Sequence, residues 1–264
     1  MSIPEVLIMT GTISPFNSSF VAIKDPKERL FQYLCSLVSW IKLTSVETII
    51  FCENSNTSYD FKKLIEFAES QGKKLEILVF DGNHISRNSK GFGEGLIMEY
   101  VFQNSKFLMP SGSFYKITGR VFVENFESIK EKHTQFDNVF VKIDGDKRWW
   151  HPRHVARNYK MYLFSLKNRG FKNPLYIYNY VLTNFYKSDI EFFKNNLLYS
   201  YKKDDGSRLY PYWLEHAYCD DLGNNFQVML EEPRIIGRSG SDGALISGLD
   251  YDDTIKDMTQ DLIT

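Results

Sequence analysis

Short apolar runs alternate with stretches of helical periodicity, and that alternation limits what this chain can fold into. Val6 to Met9 is an apolar run that passes into TGTISP, which predicts a buried strand running into a loop. DPKERLFQYLCSLVSWIK then has an acidic start and Pro26 at a first-turn position, with apolar residues at Leu30, Leu34, Leu37, Val38 and Ile41. That is an amphipathic helix with its start signal. ETIIFC, Glu47 to Cys52, predicts a second strand, Phe61 to Gln71 a second helix, and LEILVF a third strand that ends at Asp81. The order β-loop-α-β-loop-α-β predicts a mostly parallel sheet flanked by helices. Ligands of such sheets bind beyond the carboxyl ends of the strands. The loops of interest are therefore Thr10 to Pro15, Glu53 to Asn56 and Asp81 to Gly95.

The second half is less regular. GFGEGLIMEYVFQNSKFL opens a helix with glycines, SFYKITGRVFV predicts one strand, and NVFVKIDGDKRWW predicts another that ends in two carboxylates. From Asn158 the pattern is helical, through MYLFSL and IEFFKNNLLYSY, and WLEHAYCDDL predicts a short helix at Trp213 to Leu222. No internal repeat and no convincing linker divides the 264 residues, so residues 1–264 are expected as a single domain. Within it, residues 233–264 are expected as a glycine-rich flap and, from Leu249, a loosely held tail or helix.

Composition excludes several classes of function. With 32 basic and 33 acidic side chains the net charge is −1, which argues against a general nucleic-acid binder. Aromatic residues reach 16%, enough for a large core and for rings that stack on sugars or bases. Cys35, Cys52 and Cys219 form no CxxC pair, so they read as reduced thiols and not as a zinc site or a disulfide framework. The N-terminus lacks the basic region of a signal peptide, and no run of 18 apolar residues occurs. The expected location is cytoplasmic, with peripheral contact at the inner face of the membrane left open.

Five motifs carry residue types suited to chemistry, and each has a plainer reading beside it. KGFGEG, Lys90 to Gly95, can bring backbone amides and a helix N-terminus to a phosphate, or form a tight loop with no ligand. KITGR, Lys116 to Arg120, places two cations four residues apart around Thr118 and Gly119. As one strand it would present both on one face to a diphosphate, and otherwise it is a solvated edge strand. DGD, Asp144 to Asp146, suits Mg²⁺ or Mn²⁺ at a strand end, or a simple turn neutralised by Lys147 and Arg148. His151 and His154 are three apart, but a loop beside aromatic packing fits HPRH better than a metal pair. Glu215 and His216 sit among apolar residues, where a carboxylate becomes a better base or forms a structural ion pair, for example with Arg208.

With KGFGEG, KITGR and WLEH in this order, the sequence resembles bacterial glycosyltransferases of GT-A-like fold that build surface polysaccharides or lipooligosaccharides. The ordered set runs from TGTISP through RLFQYLCSLVSWI, FCENS, KGFGEGLIMEY, FYKITGR and DKRWW to LEHAYCDDL, over roughly Val6 to Leu222. The resemblance implies a GT-A-like, Rossmann-like sheet and transfer of a sugar from a nucleotide-sugar donor, of UDP or CMP type, to a saccharide or glycolipid acceptor. It implies donor contacts at Thr10, Gly11, Thr12, Glu53, Asn54, Ser55, Lys90, Gly93, Glu94, Lys116, Thr118, Gly119 and Arg120. Acceptor contacts would fall on Arg148, Trp149 and Trp213.

Metal-dependent members of that fold carry an acidic pair where this chain has KITGR. No metal cofactor is therefore favoured, with Mn²⁺ or Mg²⁺ at Asp144 and Asp146 as the fallback. Glu215 is the first choice for the base that accepts the acceptor's proton, Asp146 the second, and His216 an orienting partner. Two other readings compete. One is a nucleotidyl- or phosphotransferase using Asp144 and Asp146 with Mg²⁺, and the other is a nucleotide-sugar-binding module without catalysis.

Overall fold

The structure is a computed structural model and describes residues 6–16, 21–85, 89–143, 180–203, 213–239 and 243–263. Four strands of the central sheet come from the first half of the chain: β1 (Val6–Gly11), β2 (Thr48–Glu53), β3 (Lys74–Val79) and β4 (Ser113–Thr118). Two long helices and a short one link them: α1 (Pro26–Leu43), α2 (Lys62–Ser70) and α3 (Lys90–Asn104), with α2 the short one. A short β5 (Val121–Val123), helix α4 (Phe126–Lys132) and β6 (Val139–Ile143) follow. The later part adds β7 (Tyr180–Asp189), α5 (Ile190–Asn196), α6 (Leu214–Leu222), β8 (Gln227–Val228), β9 (Ile235–Gly237) and α7 (Asp253–Ile263).

The seven-stranded sheet has the order β3-β2-β1-β4-β7-β6-β8, and β5 pairs with β9 in a separate ribbon. β1 runs parallel to β2 and β4, β2 to β3, and β6 to β8. Only β7 runs against its neighbours, β4 and β6. The expected mostly parallel α/β sheet is thus what forms. Side-chain alternation along β1 feeds two cores. Leu7 and Met9 join the cluster under α1 and α2, whereas Val6 and Ile8 join the one under α3, α5 and α6.

Local signals explain the helices. Asp25 caps α1 by accepting the Lys27 amide at 3.0 Å, with Pro26 as the first helical residue. Ser89 caps α3 by accepting the Phe92 amide at 3.2 Å. The stretch after Leu249 contains α7, whose Ile255 and Thr259 are buried against α1. All three cysteines are buried and none is in a disulfide, and burial pushes the Cys35 thiol up to about 11.

Two sequence expectations change. SFYKITGRVFV is two strands in different sheets, because the chain leaves the main sheet after Thr118. β7 lay inside a stretch read as helical up to IEFFKNNLLYSY. Its polar Thr183, Asn184, Lys187 and Ser188 hide a strand that lies in the interior of the sheet, next to β4. Lys116 and Lys187 are both buried on this β4–β7 pair, each opposite a tyrosine, Tyr186 and Tyr115 respectively. Their ammonium groups lie 5.9 Å and 5.7 Å from those ring centroids.

Gly95 lets α3 pack on the 3₁₀ turn Ser200–Lys203, since a Cβ there would lie 2.1 Å from the Tyr201 side chain. Gly95→Ala should therefore destabilise the fold by about 1–3 kcal/mol through overpacking. Thermal melting checks this, and an unchanged melting temperature would contradict the close contact.

Candidate active site

The carboxyl ends of β1, β2 and β4 and the start of the reversed β7 meet at one edge of the sheet, beside the N-terminus of α3. A cavity of about 380 Å³ opens there. Thr10, Gly11 and Thr12 come to it from β1, Asn54 from β2, Thr118 from β4, and Thr183 and Asn184 from β7. Lys90, Gly93 and Glu94 come from α3, Glu215 from α6, and Arg238 follows β9.

The loops around the cavity hang on a buried carboxylate. Glu53 is fully buried and accepts the Ile13 amide at 2.8 Å, the Ser55 amide at 2.9 Å, the Thr57 amide at 3.2 Å and the Ser55 hydroxyl. Thr12 Oγ1 donates to Asn54 Oδ1 at 2.7 Å, and the Ser14 amide donates to Ser55 Oγ at 2.8 Å. From the α1 side, Arg29 donates to the Thr12 carbonyl through Nε at 2.8 Å, and the Thr12 amide donates to Tyr33 Oη at 2.8 Å. Glu53 and Ser55, expected as nucleotide contacts, are thus committed to bracing the TGTIS and ENS loops, and neither lines the cavity.

Lys116 and Arg120 do not share a face. Lys116 points to the α3 side, is fully buried, and donates to Glu94 Oε1 at 2.5 Å and to the Thr183 carbonyl at 2.6 Å. Burial pulls its ammonium below the ordinary lysine range, and Glu94 pulls the other way. Lys116 therefore supports the cavity from beneath without lining it. What it holds does line it: Glu94 has 19% of its side chain exposed, and Thr183 Oγ1 donates to Glu215 Oε1 at 3.4 Å. Two carboxylates, Glu94 and Glu215, thus face one space over one buried cation.

The glycine of KITGR is required by protein packing. The Gly119 amide donates to the Thr10 carbonyl at 2.8 Å, and a Cβ at Gly119 would lie 2.8 Å from that oxygen. Beyond it the backbone turns to the α1 side, so Arg120 lines the cavity from the face opposite Lys116. Tyr251 Oη holds the Arg120 carbonyl at 2.9 Å. Gly237, at φ +113°, leaves room for the same oxygen.

His216 is buried between the rings of Tyr180 and Trp213, at centroid distances of 5.7 Å and 5.5 Å. Trp213 is 47% exposed and, like His216, lies outside the cavity lining. Asp144, Asp146, Arg148, Trp149, His151 and His154 lie outside the described residues. Sequence reasoning missed Arg29, Tyr33, Thr183, Asn184 and Arg238. Arg29 had one available signal, as a cation at helical spacing on the apolar side of α1. Among the described residues, no group of three or more His, Cys, Asp or Glu is arranged to hold a metal ion. No helix among them is long and apolar enough to cross a membrane.

No protein-family profile matches the chain, and no curated protein is a sequence match. Solved structures do share its architecture. An active-site mutant of LgtC superposes with a TM-score of 0.50 at 7% identity, over 97% of this chain and 94% of that one. The fold is of the GT-A type. The WbbM bifunctional glycosyltransferase gives a TM-score of 0.47 at 10% identity, and the match covers 86% of this chain but only 38% of that one. A putative glucose-1-phosphate thymidylyltransferase from Bacillus anthracis gives 0.43 at 12% identity, over 98% and 95%. The likeness to LgtC identifies the fold and leaves the chemistry to the site.

Glu53→Ala should cost about 2–6 kcal/mol, because the Ile13 and Ser55 amides lose their acceptor at roughly 1–3 kcal/mol each. Glu53→Gln, which keeps one acceptor oxygen, should cost less. Denaturant unfolding of both variants checks the order, and equal stability of Glu53→Ala and the parent protein would remove Glu53 as the brace.

Proposed function

We propose that this protein is a glycosyltransferase that moves a sugar from a nucleotide-sugar donor to a saccharide acceptor in the synthesis of a cell-surface glycan. The observation that carries the reading is the pairing of Glu94 and Glu215 with Lys90, Arg120 and Arg238 around one cavity at the carboxyl edge of a GT-A-type sheet. Glycosyl transfer needs both kinds of group. The departing nucleoside diphosphate gains negative charge, which preorganised cations and helix-terminal amides stabilise. The incoming hydroxyl loses a proton, which a carboxylate accepts. The cell-surface role rests on the family resemblance of the ordered motifs.

In this reading the donor lies along β1 and the start of α3, and its sugar reaches toward Glu94. Glu94 is held by Lys116 in a fixed orientation, suited to accepting hydrogen bonds from sugar hydroxyls. Glu215, on α6 across the cavity, is the base for the acceptor hydroxyl. Cations do the work that a divalent metal does in other enzymes of this fold, so transfer is expected to proceed without one.

The test is a thermal-shift screen with nucleoside mono- and diphosphates, with and without Mn²⁺, followed by a transfer assay with the donor selected. Bound nucleotide raises the melting temperature by mass action. Glu215→Gln should lower turnover by about 10²–10⁴-fold, the usual contribution of a general base, while leaving the nucleotide-induced shift near that of the parent. Near-normal turnover in a folded Glu215→Gln protein would reject Glu215 as the base. EDTA should leave transfer intact. Activity abolished by EDTA and restored by Mn²⁺ or Mg²⁺ would move the chemistry to Asp144 and Asp146.

A further inference from the structure

Among the described residues Arg120 has no counter-ion. Its side chain is 3% exposed, yet no ion pair among the described residues includes Arg120, nor the equally buried Arg29. Arg29 spends its donors on the carbonyls of Thr12 and Ile23. Arg120 is less engaged. Its Nη1 donates to Gln32 Oε1 at 2.9 Å, and its buried Nε meets no acceptor. Both guanidinium groups lie about one ring-contact from Tyr33, at 5.9 Å and 6.0 Å from its centroid. The nearest carboxylate in this chain of contacts, Glu28, touches the Gln32 amide at 3.5 Å and not the arginine.

Such an arrangement is costly. A buried charge is stable when paired, and one left unpaired destabilises the fold. Here two positive groups share a corner, and Arg29 adds to the burial that already pulls the Arg120 guanidinium below its ordinary range. The Tyr33 ring face offsets part of this, as rings do for cations. The backbone is nevertheless fixed to keep Arg120 where it is, by Tyr251 Oη on its carbonyl and by the glycine at 237. The guanidinium lines the cavity, so an anion in the cavity can reach it.

We propose that Arg120, backed by Arg29, is an anion site that the free protein leaves uncompensated and that the diphosphate of a nucleotide ligand completes. A guanidinium fork matches two phosphate oxygens at once. The proposal rests on the reading that the cavity receives a nucleoside diphosphate, but not on sugar transfer. It relocates the phosphate contact from a Lys116–Arg120 strand face to the α1 side of the sheet. It also couples stability to binding: the same side chain weakens the empty protein and secures the ligand.

The experiment measures melting temperature and affinity for inorganic pyrophosphate and for UDP, ADP, CDP, GDP and dTDP in the parent protein, Arg120→Gln and Arg120→Lys. The parent is expected to be stabilised by pyrophosphate and by at least one of the nucleotides. Arg120→Gln should melt at or above the temperature of the ligand-free parent and lose about ten- to a hundred-fold in pyrophosphate affinity. Arg120→Lys should stay folded and bind weakly, because a point charge replaces the fork. If Arg120→Gln fails to fold, the folded Arg120→Lys protein decides. Undiminished pyrophosphate affinity in either folded variant overturns the proposal, as does a parent protein that no diphosphate stabilises. Diphosphate binding that is lost with Arg120 but unaccompanied by sugar transfer from any nucleotide sugar supports the anion site and overturns the glycosyltransferase reading.

Discussion

The site depends on one backbone contact, the hydrogen bond from the Gly119 amide to the Thr10 carbonyl at 2.8 Å. It extends the β1–β4 pairing by one residue and then ends it, because the chain turns away after Thr118. Only glycine fits, since a Cβ would press on that carbonyl and on the Tyr33 ring. The turn sends Lys116 and Arg120 to opposite faces of the sheet. One cation becomes a buried support under two carboxylates, and the other becomes a wall of the cavity on the α1 side. The small β5–β9 ribbon and the segment just before α7 then fix the turn from outside, through Gly237 and Tyr251.

Polar burial around the cavity divides into satisfied and unsatisfied groups. Glu53 and Lys116 are buried and fully engaged by neighbours, so they rigidify loops and strands. Arg120 is buried and only partly engaged. Preorganised sites are built this way, with rigid surroundings and one group whose partner arrives with the ligand.

The first half of the fold was legible because each strand there is a compact apolar run and each helix has a start signal, Asp25–Pro26 for α1 above all. The carboxyl-edge rule then pointed to the loops that hold Thr10, Gly11, Thr12, Asn54, Lys90, Gly93 and Glu94, and the KITGR motif added Thr118 and Arg120; all of these line the cavity. The reversed strand β7 was not legible. It lies in the interior of the sheet and is buried on both faces, yet its polar residues hydrogen-bond or stack across the sheet, so neither alternation nor an apolar run marks it. With β7 unseen, Thr183 and Asn184 were unseen too. KITGR misled for a related reason: spacing along one strand places residues 116 and 120 on the same face, but the strand ends between them. Glu53 was chosen for its loop and not for its role, since a sequence does not show whether a carboxylate accepts from ligand or from backbone.

The central claim is that the carboxyl edge between β1 and α3 receives a nucleotide whose diphosphate rests on Arg120. A crystal structure with the nucleoside diphosphate that best stabilises the protein tests it most directly. The account predicts phosphate oxygens within hydrogen-bond distance of the Arg120 guanidinium, beside the first turn of α3, with Lys116 still bound to Glu94 beneath them. A nucleotide seated away from that edge, or a diphosphate held by Lys116 with Arg120 untouched, would contradict it.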